Sequence, residues 1–592
     1  MSKTVVWNVL SPKMAAQVWT GNYAPVFPFT PQAYSVGALL PAVLYMLRWG
    51  HRRGVGRFEK AFSNAPSEKP TVESVAARLA SCPEFEGFDG DTAKAILGDL
   101  LLAHVLENKR REEGRGKQVQ RAFPVHYFAS WIDLPTSVAH LRGVPELIVA
   151  LLADQPDGEV VEPGRQDSRY PVGCRIEQNG LLGLFAQGTD VEGDYGTSLT
   201  SDRFDEQAPV GIDQLVTIRL AQACGSAPEK ARGKGEPGAI SNQRPIATRA
   251  ARIFQEDLSV FLRGYGPTIP RLSLLPMLET CIAINLTNIY LSSVRMLEIW
   301  KERGRLPEEA AQAPWPLFVD CSLSTDRRLR QLAEQSMEQC RRRVSNLATT
   351  LMYLRLLDYE VQYDTGIPKD QLPTRTPIAA AWLNLLGDVA MGSHEDSRDI
   401  QRFFRKKSRE LADALEKDDP GNPVVDLLRN ETGDLGHAWR MAEALTVLMG
   451  ENAIEQLQKF LSSCLMLDEP NGIGRRRRVR LRVETAGPKT ADVASVVLSN
   501  TALEFLAHRH LRNHGKGFKP KDLSLPRFIT LLRERYGFWI DQAPPDLAIP
   551  SELLALNRQI LERRLRDLGL LVGVNDAESM KRLQQRFPAE GD

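Results

Sequence analysis

Between Leu272 and Trp300 the chain is apolar over most of a helical surface, from Leu272-Ser-Leu-Leu through Cys281-Ile-Ala-Ile-Asn-Leu to Met296-Leu-Glu-Ile-Trp. A helix with no polar face has to be enclosed by others, so this stretch demands a multi-helix core around it. Glu279 and Arg295 interrupt the run, which argues for burial in protein rather than in a membrane. Pro276 predicts a break, and hence a central pair of helices. A second apolar run, Val36 to Leu47, is shorter than a membrane span and contains Pro41, so it also reads as a buried helix. No membrane contact is expected. The N-terminus carries Lys3 before Val5-Val6-Trp7 and has no signal-peptide pattern, which predicts a cytoplasmic protein.

Around that core the chain reads as mainly α, a multidomain helical protein with small β elements. Its 592 residues suggest several units. Residues 1–155 form a helical N-terminal domain. Residues 156–245 are an irregular, β- and loop-rich region, with short strands expected at Val172–Ile176 and Leu181–Phe185. Residues 246–464 form the central helical domain, with Leu317-Phe-Val-Asp as a short strand and Thr325 or Asp326 capping a helix to about Tyr359. Residues 465–592 form a basic C-terminal module, with helices expected from Val493 to about Asn513, from Leu525, from Ser551 to Leu568 and from Asp576 to Phe587. Three helices with small strands are compatible with a winged-helix-like module. The seven cysteines form no Cys-x-x-Cys pair, and several lie in apolar stretches, as buried thiols of a reducing compartment do.

The charge is concentrated in one place. Lysine and arginine number 75 against 74 acidic residues, for a net charge of +1, yet six of the eight residues from Arg475 to Arg482 are arginine. From Arg478 the run alternates: Arg478, Arg480 and Arg482 against Val479, Leu481 and Val483. That is the period of a strand with one cationic and one buried face. Guanidiniums in a row suit phosphate, because each donates paired hydrogen bonds and none deprotonates at working pH. Arg475, Arg476, Arg477, Arg478, Arg480 and Arg482 are therefore candidate nucleic-acid-binding residues. Arg558, Arg563 and Arg564, on the helix before Leu568, join them as residues that could line a groove. A solvated face or an acidic protein partner fits the same arginines.

No catalytic constellation is complete. His510 and His514 are four apart, and His508 is near, but no His-Glu-x-x-His pattern surrounds them; a helix C-terminus closed by Gly515 explains them as well. Asp190, Glu192 and Asp194 alternate in a Gly-rich loop, but the twelfth position of a calcium loop falls on Ser201. Asp202, Asp205 and Glu206 follow without a nuclease lysine. Asp320-Cys321-Ser322 ends a strand with no Gly-x-Ser-x-Gly elbow, so helix capping is the simpler reading. Tyr536, Phe538 and Trp539 could stack on bases, although core anchoring is commoner. Neither a phosphate-binding Gly-x-x-x-x-Gly-Lys loop nor a dinucleotide fingerprint occurs, and no cofactor is expected.

Four stretches resemble one family: Gly211-Ile-Asp-Gln-Leu-Val-Thr-Ile-Arg-Leu-Ala-Gln, Pro270-Arg-Leu-Ser-Leu-Leu-Pro-Met-Leu-Glu, Pro316-Leu-Phe-Val-Asp-Cys-Ser, and Leu565-Arg-Asp-Leu-Gly-Leu-Leu-Val-Gly-Val-Asn-Asp-Ala-Glu-Ser-Met. They resemble accessory proteins of the bacterial methylation-associated anti-phage defence system, over about residues 210–590. The resemblance implies a bacterial subunit working beside a methyltransferase, a specificity subunit and kinase- or ATPase-like proteins. It carries no catalytic residue. The expectation is a non-enzymatic subunit that binds partner proteins and, through its arginine strand, DNA. A divergent metal-dependent nuclease, using the acids between Asp190 and Glu206 or Asp320 with Asp326, is the alternative. A pure protein scaffold is the third.

Overall fold

The computed structural model describes every residue except 1, 19–21, 53–56, 66–67, 109–117, 133–140, 157, 166–167, 192–201, 225–237, 364–369, 371, 431–435, 468, 482–488, 513–521, 574–580 and 591–592. Helix makes up 59% of the chain, with a few small sheets. The N-terminal part contributes α1 (Leu39–Trp49), buried at every residue, packed on α2 (Val144–Ala153). The central part contributes α3 (Thr248–Tyr265), α4 (Arg271–Arg303), α5 (Arg327–Tyr363), α6 (Ala380–Ala390), α7 (Gly436–Leu448) and α8 (Asn452–Cys464). The C-terminal part contributes α9 (Asn500–His510), α10 (Leu525–Tyr536) and α11 (Ser551–Asp567).

The apolar stretch from Leu272 to Trp300 is part of one continuous helix, α4, and not a broken pair. Pro276 lies only five residues after Arg271, so its missing N–H costs a single early bond, to the carbonyl of Leu272. Leu272 is 73% exposed, which leaves that carbonyl at the solvated end of the helix. Beyond this turn α4 is buried almost all round, between α3, α5, α8 and α9. By length and composition it is the one described helix apolar enough to cross a membrane, and 78% of its apolar window is buried inside the fold.

Against α5 lies a four-stranded sheet in the order β2-β3-β1-β4, made of β1 (Leu317–Asp320), β2 (Gly474–Leu481), β3 (Lys489–Val497) and β4 (Phe538–Trp539). β1 runs parallel to both neighbours, pairing Val319 with Val496 and Leu317 with Phe538. All four of its residues are buried, as a strand covered on both faces requires. β4 is preceded by Gly537, whose φ is 72° and whose added Cβ would lie 1.9 Å from the Trp315 carbonyl oxygen. Only glycine closes α10 there and lets the Gly537 carbonyl accept from Leu317 N at 2.8 Å.

Several local expectations change. Val493 to Leu498 starts no helix: its β-branched residues form the end of β3, and the helix starts at Asn500. Ile176–Gln178 and Gly180–Phe185 are helical turns rather than strands, closed by Asn179, whose Oδ1 accepts from Leu181 N and Leu182 N. Arg582–Leu583 pairs as a strand with Leu571–Val572, where a final helix is expected. The strands of the C-terminal region are also not a self-contained wing, because β1 of the central region stands between β3 and β4.

Candidate nucleic-acid interface

β2 is the edge strand of this sheet and is joined to β3 alone, in register from Gly474 against Val496 to Leu481 against Lys489. The core ends near Gly474 and Ala494; Arg476, Arg477, Arg478 and Arg480 are exposed and Arg475 is half-buried. The pair continues past the core as a ribbon, held against α5 by Glu334 and by Arg341, whose Nη1 donates to the Asp492 carbonyl at 3.2 Å. Alternation puts Arg476, Arg478 and Arg480 on one face and Arg475 and Arg477 on the other. Val479 is only half-buried, so the expected apolar face is not a core face at that point. Arg482 and Val483 lie outside the described residues.

Three of the arginines already meet carboxylates. Arg477 grips Glu334 of α5 through Nε at 2.9 Å and Nη2 at 2.8 Å, which raises its pKa further. Arg476 and Arg478 flank Asp492, the cross-strand neighbour of Arg478, at 3.6 and 3.4 Å. The Asp492 pairs are solvent-exposed and individually weak, whereas Glu334, 14% exposed, is held at two points.

The arginines of α11 have partners of their own. Arg564 donates to the carbonyls of Cys321 at 3.0 Å and Leu498 at 2.7 Å, and to Asn500 Oδ1 at 2.8 Å, tying α11 to the ends of β1 and β3. Arg558 lies 3.9 Å from Asp541, and Arg563, 84% exposed, lies 3.8 Å from Asp567. Arg480 pairs with Thr490, seven residues before the Val497 end where Arg564 sits. At ~3.3 Å per residue Arg480 is about 23 Å from that end along the sheet, whereas Arg475, paired with Ser495, is about 7 Å from it.

The other constellations resolve into structural contacts. Asp320 is fully buried; its Oδ1 accepts from Ser322 N at 2.8 Å and Ser322 Oγ at 2.6 Å, and its Oδ2 from Ser324 N at 3.0 Å. It thereby holds a turn in which Leu323 and Ser324 both have positive φ, 55° and 69°. Burial raises the Asp320 carboxyl and the Cys321 thiol, and a protonated thiol is a poor nucleophile. Asp326 caps α5 by accepting from Arg328 N and Leu329 N. Asp202 is paired inside the N-terminal part with Arg48 at 2.8 Å, both side chains fully buried. Asp205 accepts from Gln207 N, Glu206 faces Arg219 at 3.4 Å, and Asp190 sits in the short strand Thr189–Val191. Glu192, Asp194 and Ser201 lie outside the described residues. Among the described residues no three histidine, cysteine or acidic side chains cluster as a metal site.

His508 is an anchor of the fold. Its Nδ1 donates to the Glu504 carbonyl at 2.7 Å and its Nε2 accepts from Arg586 N and Phe587 N, both at 3.1 Å. His510 Nε2 meets Tyr536 OH at 3.2 Å, and His514 lies outside the described residues. Tyr536 donates to Asp257 Oδ2 at 2.7 Å, Phe538 is buried, and Trp539 carries the Arg533 guanidinium 5.4 Å from its ring centroid.

Sequence reasoning missed the acid at the centre of this cluster. Asp257 is fully buried and accepts from Arg509 Nε at 2.7 Å, Arg535 Nη2 at 3.1 Å, Tyr536 and Asn285 Nδ2. The signal was available. Asp257 stands at helical spacing between Phe254, Leu258 and Phe261, an acid on an apolar face.

The fold thus defines a mainly α protein built on a largely buried central helix, with a small mixed sheet that ends in a cationic ribbon. The sequence model of the family described as methylation-associated defense system protein MAD7 matches residues 23–587, and the chain belongs to that family. The match reaches well beyond residues 210–590, taking in the N-terminal helices. It makes the chain a component of a methylation-associated defence system. No curated protein and no solved structure gave a match.

Proposed function

We propose that this chain is a non-enzymatic subunit of its defence system, and that the β2–β3 ribbon binds DNA. The ribbon is the observation that carries this reading: two antiparallel strands past the core, with Arg476, Arg478 and Arg480 on one face. The major groove of B-DNA admits a two-stranded ribbon, and guanidiniums meet phosphates in paired hydrogen bonds. The pairs of Arg476 and Arg478 with Asp492 are exposed, so phosphate can replace that carboxylate at small cost. The helical bulk would meet partner subunits in the cytoplasm, including a methyltransferase, a specificity subunit and kinase- or ATPase-like proteins.

The test is a salt titration of a labelled duplex with the full-length chain, between about 50 and 200 mM salt. Arg478→Ala with Arg480→Ala is expected to weaken binding across sequences and to reduce the salt slope by about two units. Unchanged affinity and slope would remove the DNA reading. One observation favours an acidic protein surface as the second reading: the two-point grip of Arg477 on Glu334 shows that these arginines take carboxylates. Under that reading the same variant loses a partner subunit in a nuclease-treated pull-down and leaves DNA affinity intact.

A further inference from the structure

A cleft of about 680 Å³ opens between the last turns of α4, the middle of α5 and the start of α7. That volume is in the range of small-molecule sites. Most of its polar walls are satisfied. Arg343 Nη1 donates to Glu298 at 3.1 Å, Trp439 Nε1 donates to Glu443 at 2.7 Å, and the Lys301 ammonium rests 3.7 Å from the Trp439 ring centroid. Burial raises Glu298 and lowers Lys301, so these walls are partly dehydrated.

Arg440 is the exception. It lines the same cleft, is only 6% exposed, and its Nη1 is shut off from solvent with no hydrogen-bond partner. No ion pair reaches it among the described residues. A guanidinium cannot escape by losing its proton, so an unpaired one in the interior is a standing cost to the fold. An oxyanion would remove that cost.

The rest of the cleft narrows the choice. Lys301, Arg343 and Arg440 balance Glu298, Glu302 and Glu443, so the lining is formally neutral. A polyphosphate would set several negative charges against three glutamates, whereas a single carboxylate matches the planar fork of one arginine. Met391, 39% exposed, and the half-buried Trp439 supply apolar surface, backed by the buried Val294, Leu297 and Leu347. We propose that this cleft binds a small organic acid, whose one carboxylate completes Arg440 and whose apolar or aromatic body covers Met391 and Trp439. The proposal is independent of the DNA reading.

Thermal unfolding of the full-length chain tests it with defined probes: phenylacetate, indole-3-acetate and hexanoate, each against its neutral amide, with phenyl phosphate alongside. At least one carboxylate is expected to raise Tm in a concentration-dependent way while its amide does not. Arg440→Met is expected to abolish that rise and, with no ligand present, to melt at or above the wild-type temperature, because it removes an uncompensated charge. Asn346→Phe, an exposed position on the rim that leaves Arg440 untouched, is expected to block the rise as well. An Arg440→Met protein that melts well below wild type would make Arg440 a structural residue and overturn the proposal. So would a wild type that no carboxylate shifts more than its amide, or that responds only to phenyl phosphate.

Discussion

Single residues decide how the interior tolerates charge. Asp257 is enclosed by Arg509, Arg535, Tyr536 and Asn285, so replacing it leaves the two guanidiniums only Glu256, at 3.8 and 3.0 Å, and strips Tyr536 and Asn285 of their buried acceptor. Asp257→Ala is expected to cost about 3–5 kcal/mol, read from denaturant midpoints, and a loss under about 1 kcal/mol would show the network to be dispensable. Two histidines set an acid limit. His126 accepts from Phe128 N through Nδ1 and donates to the Gln187 carbonyl through Nε2, while His508 uses the opposite tautomer. Both are held neutral, chiefly by burial, with pKa values lowered to about 4. The unfolded chain takes up these protons from about pH 6.5, so stability is complete above that pH and falls as pH drops towards 4. The loss is about 2 kcal/mol per histidine at pH 5. Denaturant midpoints at pH 7 and pH 5 measure it. His508→Gln is expected to flatten the dependence by up to one proton, and an unchanged dependence would refute the assignment.

At the scale of elements, the sequence was most legible where periodicity was strong and partners were local. The helices Ile212–Ala223, α5, α10 and α11 follow from spacing and end signals. The arginine strand was legible from its alternation, yet its environment was not. Val479 alternates correctly and is still only half-buried, because burial depends on what packs beyond the core, and the ribbon leaves the core at Ala494. Its partner strand reads as the start of a helix in the sequence, because Val493-Ala-Ser-Val-Val-Leu is a short apolar run that suits either state until a neighbour is known. Pro276 misled for the same reason: a proline breaks a helix in its middle and is absorbed in its opening turns, and only the true start at Arg271 tells which applies. The candidate DNA site was thus visible as residues. The grip of Glu334, 143 positions away on α5, and the ties of Arg564 to the ends of β1 and β3 needed the assembled sheet.

For the whole molecule, the sheet sets which parts can stand alone. Composition suggests a boundary at about residue 465, but one apolar core runs from Val5 to Ala589 across it. The boundary also separates β1 from both of its sheet neighbours. Asn557 of α11 spans the join: its Nδ2 donates to the Val319 carbonyl at 2.8 Å and to the Ile540 carbonyl at 3.0 Å, and its Oδ1 accepts from Cys321 N at 2.9 Å. Without residues 317–321, β3 and β4 would lose the strand between them, and Asn557 and Arg564 would lose acceptors in a site built to exclude water. Unmet polar groups of that kind are costly, and the apolar faces of α9 and α10 would lose α4 as well. A fragment of residues 465–592 is therefore expected not to fold by itself. It should show no cooperative thermal transition by circular dichroism and rapid proteolysis, and it should gain both structure and protection when co-expressed with residues 1–464. A sharp unfolding transition for the isolated fragment would restore the modular reading, and the arginine ribbon could then work as a detachable DNA-binding unit rather than as the edge of the central core.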